Sequence, residues 1–462
     1  MKLSSKQTVH RRAEVHPLRG IFCLLLALLG AQALNASASQ EWRTYIAEHA
    51  VPLKTEADPL PAALLEALKG RELVLLGETT HGTREYYTWR SAITRALIRE
   101  AGIQFIAVEG DWTAIDPLDR YVRHLSGHAD SALEVLQGID RWAEWMWANP
   151  EILELAEWLH AWNADRPIEQ RVGIHGIDVY GWGASVKQLP AYLDRLESGW
   201  GARANDELAP LRRFDGDTST YARSLMQGQP TGAEKVRRVL ERLKSEAEAL
   251  RAEDADAYFR AKQHVSVVAQ AKEHLRQSVF QNPRSWNPRA ENFLGTVLRL
   301  REYYGDGARG VLWAHNTHIG DARHTPMAGA GLSTVGQDAR ETLGEDAVYL
   351  LGFSSDRGTF RAGPSWGAPG EVFELTPAQE GSIDRWLADA APERAFLPLE
   401  DARKSAPLLR PAGHRAVGIV HASGPDTSRN YVPSTLPWRY DGLIFIAETS
   451  ALPELGRANP RQ

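Results

Sequence analysis

The chain has almost no cysteine: one, Cys23, in 462 residues. It stands at the start of a short apolar run, Ile21 to Leu29, which follows the basic residues Lys2, Lys6, Arg11, Arg12 and Arg19. Ala36-Ser37-Ala38 comes next, a small-residue cleavage pattern. Residues 1–38 therefore read as a secretory signal peptide cut after Ala38, and the mature protein is expected to be periplasmic or secreted. The apolar stretch falls short of the ~20 residues that a membrane span needs, so no membrane partner is expected after cleavage. Cys23 opens that stretch instead of following it, which argues against a lipoprotein anchor. Without the leader there is no thiol left, and disulfides, cysteine-ligated metals and a cysteine nucleophile are excluded.

Other absences narrow the function further. No basic face is evident, and cleavage would take the formal charge from −6 to −10. An acidic protein of this kind is not expected to bind nucleic acid or an anionic membrane surface. There is no P-loop, no Gly-x-Gly-x-x-Gly opening a helix and no His-Glu-x-x-His. Gly363-Pro364-Ser365-Trp366-Gly367 has the spacing of a nucleophile elbow, but Pro and Gly flank it where a strand and a helix are required, so Ser365 is not read as a nucleophile. No internal repeat or long low-complexity linker is present.

What remains is an ordinary globular composition, 43% hydrophobic and 24% charged. Short apolar runs bounded by Gly or polar residues read as buried strands at Leu73 to Leu76, Gln104 to Glu109, Val172 to Asp178, Val311 to Trp313, Val348 to Phe353, Ala416 to Val420 and Leu443 to Ala447. Helical patterns such as Thr88 to Glu100 and Pro150 to Trp162 separate the early ones. This alternation predicts an α/β fold with a mostly parallel sheet covered by helices. From Leu189 to Phe280 the strands stop. A helix is expected around Val236 to Leu250 and another over Asp256 to Gln277. The division expected is a first α/β part over 39–188, a helical insertion over the cleft at 189–283, and a second α/β part over 284–462.

Two strand ends carry histidines: Glu78-Thr79-Thr80-His81 after Leu76, and His315-Asn316-Thr317-His318 after Trp313. Ligands of open α/β sheets bind outside the carboxyl ends of strands, so these motifs are candidates for one site. His81 could take a proton from water while Glu78 fixes the water or the ring. Arg90, on the following helix, could reach the same place and, with the imidazoles, stabilise an oxyanion. Glu109 and Asp178 end otherwise apolar strands, where a carboxylate is costly unless paired or functional. His315 and His318 could bind a carbonyl oxygen, or hold a divalent metal with Glu78 or His81. Some of the rings of Trp142, Trp145, Trp147, Trp158 and Trp162 could line an apolar cleft.

Longer segments carry a family pattern. These are Leu76-Gly77-Glu78-Thr79-Thr80-His81-Gly82-Thr83, Val108-Glu109-Gly110-Asp111-Trp112, Trp145-Met146-Trp147-Ala148-Asn149, Gly176-Ile177-Asp178-Val179-Tyr180, Ser285-Trp286-Asn287-Pro288-Arg289 and Trp313-Ala314-His315-Asn316-Thr317-His318. In them the chain resembles the erythromycin esterase family. The resemblance implies hydrolysis of a small-molecule ester, such as a macrolide-like lactone, by activated water, with neither a serine nucleophile nor a required cofactor. His81 would be the general base and Glu78 would position the water. Arg90, Glu109, His315 and His318 would complete the polar site, with Arg289, Asp178 and Trp147 against the substrate. The chain departs from the family where Ala290 replaces an Asp after Arg289 and Phe293 replaces a Met. Two alternatives stand beside this reading: a metal-dependent hydrolase or peptidase using Glu78, His81, His315 and His318, and a non-enzymatic haem- or metal-binding protein.

Overall fold

The computed structural model describes residues 37–228, 232–279, 282–422, 424 and 427–456. The segment read as a signal peptide lies, apart from its last two residues, outside these. A helix over 37–49 turns Trp42, Tyr45 and Ile46 into the core.

Among the described residues the strands run β1 (Val51–Pro52), β2 (Leu73–Leu76), β3 (Ile103–Asp111), β4 (Gly173–Asp178), β5 (Arg309–Trp313), β6 (Val348–Ala362), β7 (Glu371–Leu375), β8 (Arg394–Pro398), β9 (Ala412–Arg415), β10 (Tyr431–Ser434) and β11 (Gly442–Thr449). Nine form one sheet, ordered β1-β8-β11-β6-β2-β5-β3-β4 with β7 against the far end of β6. The six from β11 to β4 are parallel, while β1, β7 and β8 pair antiparallel. The parallel central part carries the site, because β2, β5, β3 and β4 are consecutive neighbours and all four end along one edge.

The sheet is buried on both faces, as an apolar run without alternation requires. Leu73 and Leu75 of β2 face one core, shared with Phe105, Ala107, Leu312 and the helical insertion. Val74 and Leu76 face the other, shared with Ile106, Val108, Val311 and Trp313. The helix Arg84–Ala101 packs on this second side through Tyr86, Tyr87, Trp89, Ile93 and Leu97, and Gly102 ends it with φ +68°, a left-handed position that suits glycine.

Three expectations need correction. The helix expected around Val236 to Leu250 is two, Ala233–Ser245 and Ala247–Glu253. Ala416 to Val420 is not a strand: it makes only isolated bridges, Val417 to Thr80 and Val420 to Gly363, both partners lying beyond the ends of β2 and β6. Third, the helical insertion backs the cleft instead of roofing it. Its helices Ala255–Val279 and Trp182–Leu196 pack on a sheet face, the latter running through the expected boundary at 188/189, and no described residue between 182 and 285 lines the cleft.

The loops after β2 and β5 are laced together. Ala314 N–H donates to Leu76 O (3.2 Å) and Asn316 N–H to Glu78 O (2.9 Å). The Asn316 amide then bridges to the backbone of Phe353 on β6. Gly77 permits this approach, since a Cβ there would run into Asn316 Oδ1 and Ile319 Cδ1. Gly77→Ala is expected to destabilise the fold by about 1–3 kcal/mol, the usual cost of overpacking. A thermal unfolding midpoint unchanged from the native protein would contradict this reading of the loop junction.

Candidate active site

The four parallel strand ends deliver His81, with Glu78 behind it, His315 and His318, Glu109 and Asp111, and Asp178 and Tyr180 to one cleft. Its volume is about 390 Å³. His81 lines it, and behind His81 stands a buried relay. His81 Nδ1 lies 2.9 Å from Glu78 Oε1, and Glu78 Oε2 lies 2.7 Å from Arg90 Nη2. A carboxylate held by a guanidinium is an acceptor only, so the shared proton sits on His81 Nδ1 and the ring's Nε2 is left as the basic nitrogen. No described residue hydrogen-bonds that Nε2. Burial pulls the His81 pKa down, but the hydrogen bond to Glu78 and the charges of Glu109 and Glu78 outweigh it, and the net shift is upward from 6.5.

Arg90 does not reach the cleft. Its guanidinium is sandwiched between the rings of Tyr87 and Trp313 (4.5 and 4.8 Å to their centroids), and Nε donates to Tyr86 O. The expectation that Arg90 meets an oxyanion therefore gives way to a supporting position behind Glu78. Glu78 is similarly enclosed, with both oxygens engaged, and fixes the ring rather than a water.

Arg289 is the hub of the opposite wall. It stands in the first turn of the helix Trp286–Tyr304. Its guanidinium takes Asp178 in a fork (Nε to Oδ1 2.9 Å, Nη2 to Oδ2 2.6 Å), reaches Glu109 Oε1 (2.7 Å) and lies 3.0 Å from His318 Nε2. A guanidinium can only donate, so His318 Nε2 accepts, which places the proton of the neutral ring on Nδ1. Burial lowers the His318 pKa, in keeping with that neutral form. Burial works to raise Glu109, yet the His318 ring and the Arg289 guanidinium beside it prevail and hold its pKa well below the usual carboxylate range. Ala290, where an Asp is usual, is fully buried, and Arg289 remains ordered by partners on two strands. Trp286 stacks on His318 with centroids 4.2 Å apart and planes 5° from parallel.

His315 is in the cleft but its nitrogens are committed. Nδ1 accepts from Thr317 N–H (3.2 Å), so Nε2 carries the proton and donates to Thr79 O (3.1 Å). Its ring lies 4.9 Å from that of His81. Burial, with the His81 charge next, depresses the His315 pKa well below 6.5 and keeps it neutral. Its backbone N–H donates to Glu109 Oε2 (2.8 Å), tying the ends of β3 and β5. Among the described residues no three side chains of His, Cys, Asp or Glu converge as a metal site. The four-ligand set of Glu78, His81, His315 and His318 is poorly suited to one, since Glu78 and His315 have no donor atom to spare.

Trp147 lines the cleft as expected, lodged against Gly110, where a Cβ would come within 2.8 Å of the indole Nε1. Trp158 and Trp162 stack on each other, and neither they nor Trp145 lines the cleft. Trp142, also among the rings expected to line a cleft, does so, whereas four wall residues escaped the sequence reading: Arg141, Tyr180, Trp286 and Trp366. Trp366 belongs to the false elbow motif, where its ring lies tilted against that of Trp142 (centroids 4.7 Å apart) and Ser365 is exposed. Asp111, at the end of β3, pairs with Arg141 (2.8 Å), and burial raises its pKa to about 6. Its position two residues past Glu109 on a strand end was the signal that could have identified it.

Comparison with known proteins follows the same geometry. The family model described as Erythromycin esterase matches residues 98–449. A Bacillus subtilis (strain 168) protein named as the putative hydrolase YbfO is 34% identical over 91 residues, 19% of this chain and 20% of that protein. The match thus spans about one fifth of that relative's length. Among solved structures, a Bacillus cereus protein superposes with a TM-score of 0.75 at 18% identity, covering 90% of this chain and 98% of its own. A succinoglycan biosynthesis protein gives 0.70 at 19% identity, covering 91% and 99%. A histidine-to-asparagine mutant of erythromycin esterase EreC in its open conformation gives 0.61 at 17% identity, covering 85% and 95%. At these identities the solved structures establish the fold alone.

Proposed function

Because this chain belongs to the erythromycin esterase family, we propose that it is a carboxylic-ester hydrolase in which His81 activates water directly. The observation that carries this reading is the buried Arg90–Glu78–His81 relay, which leaves one basic nitrogen at the cleft. His81 Nε2 takes a proton from water as the water oxygen bonds to the ester carbonyl carbon. Glu78 stabilises the imidazolium that forms, and Arg90 holds Glu78 in place. The tetrahedral oxyanion lies toward the Arg289 edge of the cleft, where the guanidinium is already oriented by Glu109 and Asp178. Collapse breaks the bond to the leaving oxygen, and the proton on His81 Nε2 passes to it. Neither a serine nucleophile nor a metal is needed in this sequence of steps. The aromatic walls, Trp142, Trp147, Trp286 and Trp366, suit an ester with substantial apolar surface, and a macrolide-like lactone is one such substrate.

The test is a pH profile of ester hydrolysis measured in the presence of a chelator. A base must be unprotonated to act, and the His81 pKa is shifted upward from 6.5. The expected result is kcat/KM that rises with pH through an inflection above 6.5 and is insensitive to the chelator. A flat profile over roughly pH 5 to 9, or activity lost to the chelator and restored by zinc, would overturn the assignment.

A further inference from the structure

A second crevice, away from the cleft, has charges that do not balance. It encloses about 90 Å³ between the helices Ala247–Glu253, Ala255–Val279 and Trp286–Tyr304. Its walls bring together Arg251, Lys262 and Arg299 with one carboxylate, Glu302. That carboxylate is already shared: one oxygen bonds Arg251, and the other lies 3.0 Å from Lys262 Nζ. Arg299 has no acidic partner among the described residues. Its guanidinium is held by neutral acceptors, Gln263 Oε1 at 2.6 Å and Thr296 Oγ1 at 3.0 Å.

This arrangement is costly as it stands. A desolvated cation without a counter-charge raises the free energy of the fold. Burial alone lowers the Arg299 pKa to about 10, with no acid acting against it. Lys262 is pushed down to about 8 by burial and then by the charges of Arg251, Arg299 and Lys244. The rings of Tyr258 and Tyr303 wall the crevice, and Lys262 is only 17% exposed, so water screens these charges poorly. The chain as a whole is acidic, with a formal charge of −6, which makes a local surplus of cations the more unusual.

We propose that this crevice binds a phosphate-sized oxyanion, with Arg299 and Lys262 donating from within and Arg251 from the rim. Guanidinium and ammonium groups lining one small crevice, in excess over its single carboxylate, match a tetrahedral anion in charge and in hydrogen-bonding capacity. The site is separate from the cleft. Arg299 stands ten residues beyond Arg289 on one helix, about 15 Å along its axis at 1.5 Å per residue. The proposal is independent of the ester chemistry.

The experiment is titration of the full chain with inorganic phosphate, followed by calorimetry and by thermal unfolding, against chloride at matched ionic strength. The expected result is saturable binding of one phosphate and a midpoint that rises with phosphate but not with chloride. Arg299→Gln and Lys262→Gln should each weaken that binding about tenfold or more while leaving ester hydrolysis unchanged. Equal effects of phosphate and chloride, or native affinity in these variants, would overturn the proposal. Should Arg299→Gln fail to fold, Lys262→Gln and the rim variant Arg251→Gln decide the question, since undiminished affinity in both is incompatible with the site.

Discussion

Replacing His81 with alanine is expected to lower kcat/KM for ester hydrolysis by about 10²–10⁴-fold, the range a general base contributes, while the protein stays folded. The argument is geometric. His81 Nδ1 is tied to Glu78 at 2.9 Å, and Nε2 has no hydrogen-bond partner among the described residues; of the other ring nitrogens in the cleft only His318 Nδ1 is also unpartnered, and it is fully buried. Removing the ring leaves no imidazole in position to replace it, because His315 already donates to Thr79 and His318 already faces Arg289. A His81→Ala protein that unfolds normally and retains activity within about threefold would eliminate His81 as the base. Glu78→Gln separates a positioning role from a structural one. It removes the charge and the strong acceptor that raise the His81 pKa, so the inflection of the pH profile should move to lower pH along with the loss of rate. A merely structural Glu78 would lower the amount of folded enzyme and leave the inflection where it was.

The largest expected loss of stability lies away from the cleft, at Arg260. This residue, 1% exposed, joins the insertion helix Ala255–Val279 to the helix Trp112–Val122. It pairs with Asp116, with Asp119 at 3.3 Å and with Asp256 at 2.8 Å. Arg260→Met keeps most of the volume but strands buried carboxylates, and breaking such a pair from one side costs about 3–5 kcal/mol. The pH dependence has a definite sign. Burial raises Asp119 to about 6 even with the arginines near it, and their charges act to lower it. Loss of Arg260 favours its neutral form further. The deficit of the variant should therefore be greatest above pH 6 and shrink as the pH falls through and below that value, as the stranded carboxylates take up protons. Urea unfolding of native and variant protein at two pH values checks this. A deficit under about 1 kcal/mol at neutral pH would mean that the buried network is not holding the insertion to the sheet.

The α/β class, most of the strands and the two histidine-bearing loops were legible from the chain itself, because an apolar run closed by Gly and acidic residues has few other ways to be buried. Glu109 and Asp178 announced themselves as charges at the ends of apolar strands, a placement too costly to be incidental. The local pattern could not say that β2, β5, β3 and β4 lie side by side. That order joins segments more than two hundred residues apart, and it decides that His81, Glu109, Asp178 and His315 share one cleft with Glu78 behind His81. Nor could it say which nitrogen of each histidine is spent. His315 and His318 look alike in His-x-x-His, yet one is pinned by Thr79 and Thr317 and the other by Arg289, and only packing assigns those partners. Arg90 fits an oxyanion role by spacing alone, but the rings of Tyr87 and Trp313 hold it behind Glu78. Period and composition report which residues must leave water. Which buried groups then meet depends on strand order and helix placement, and those follow from long-range packing that no local stretch of the chain contains.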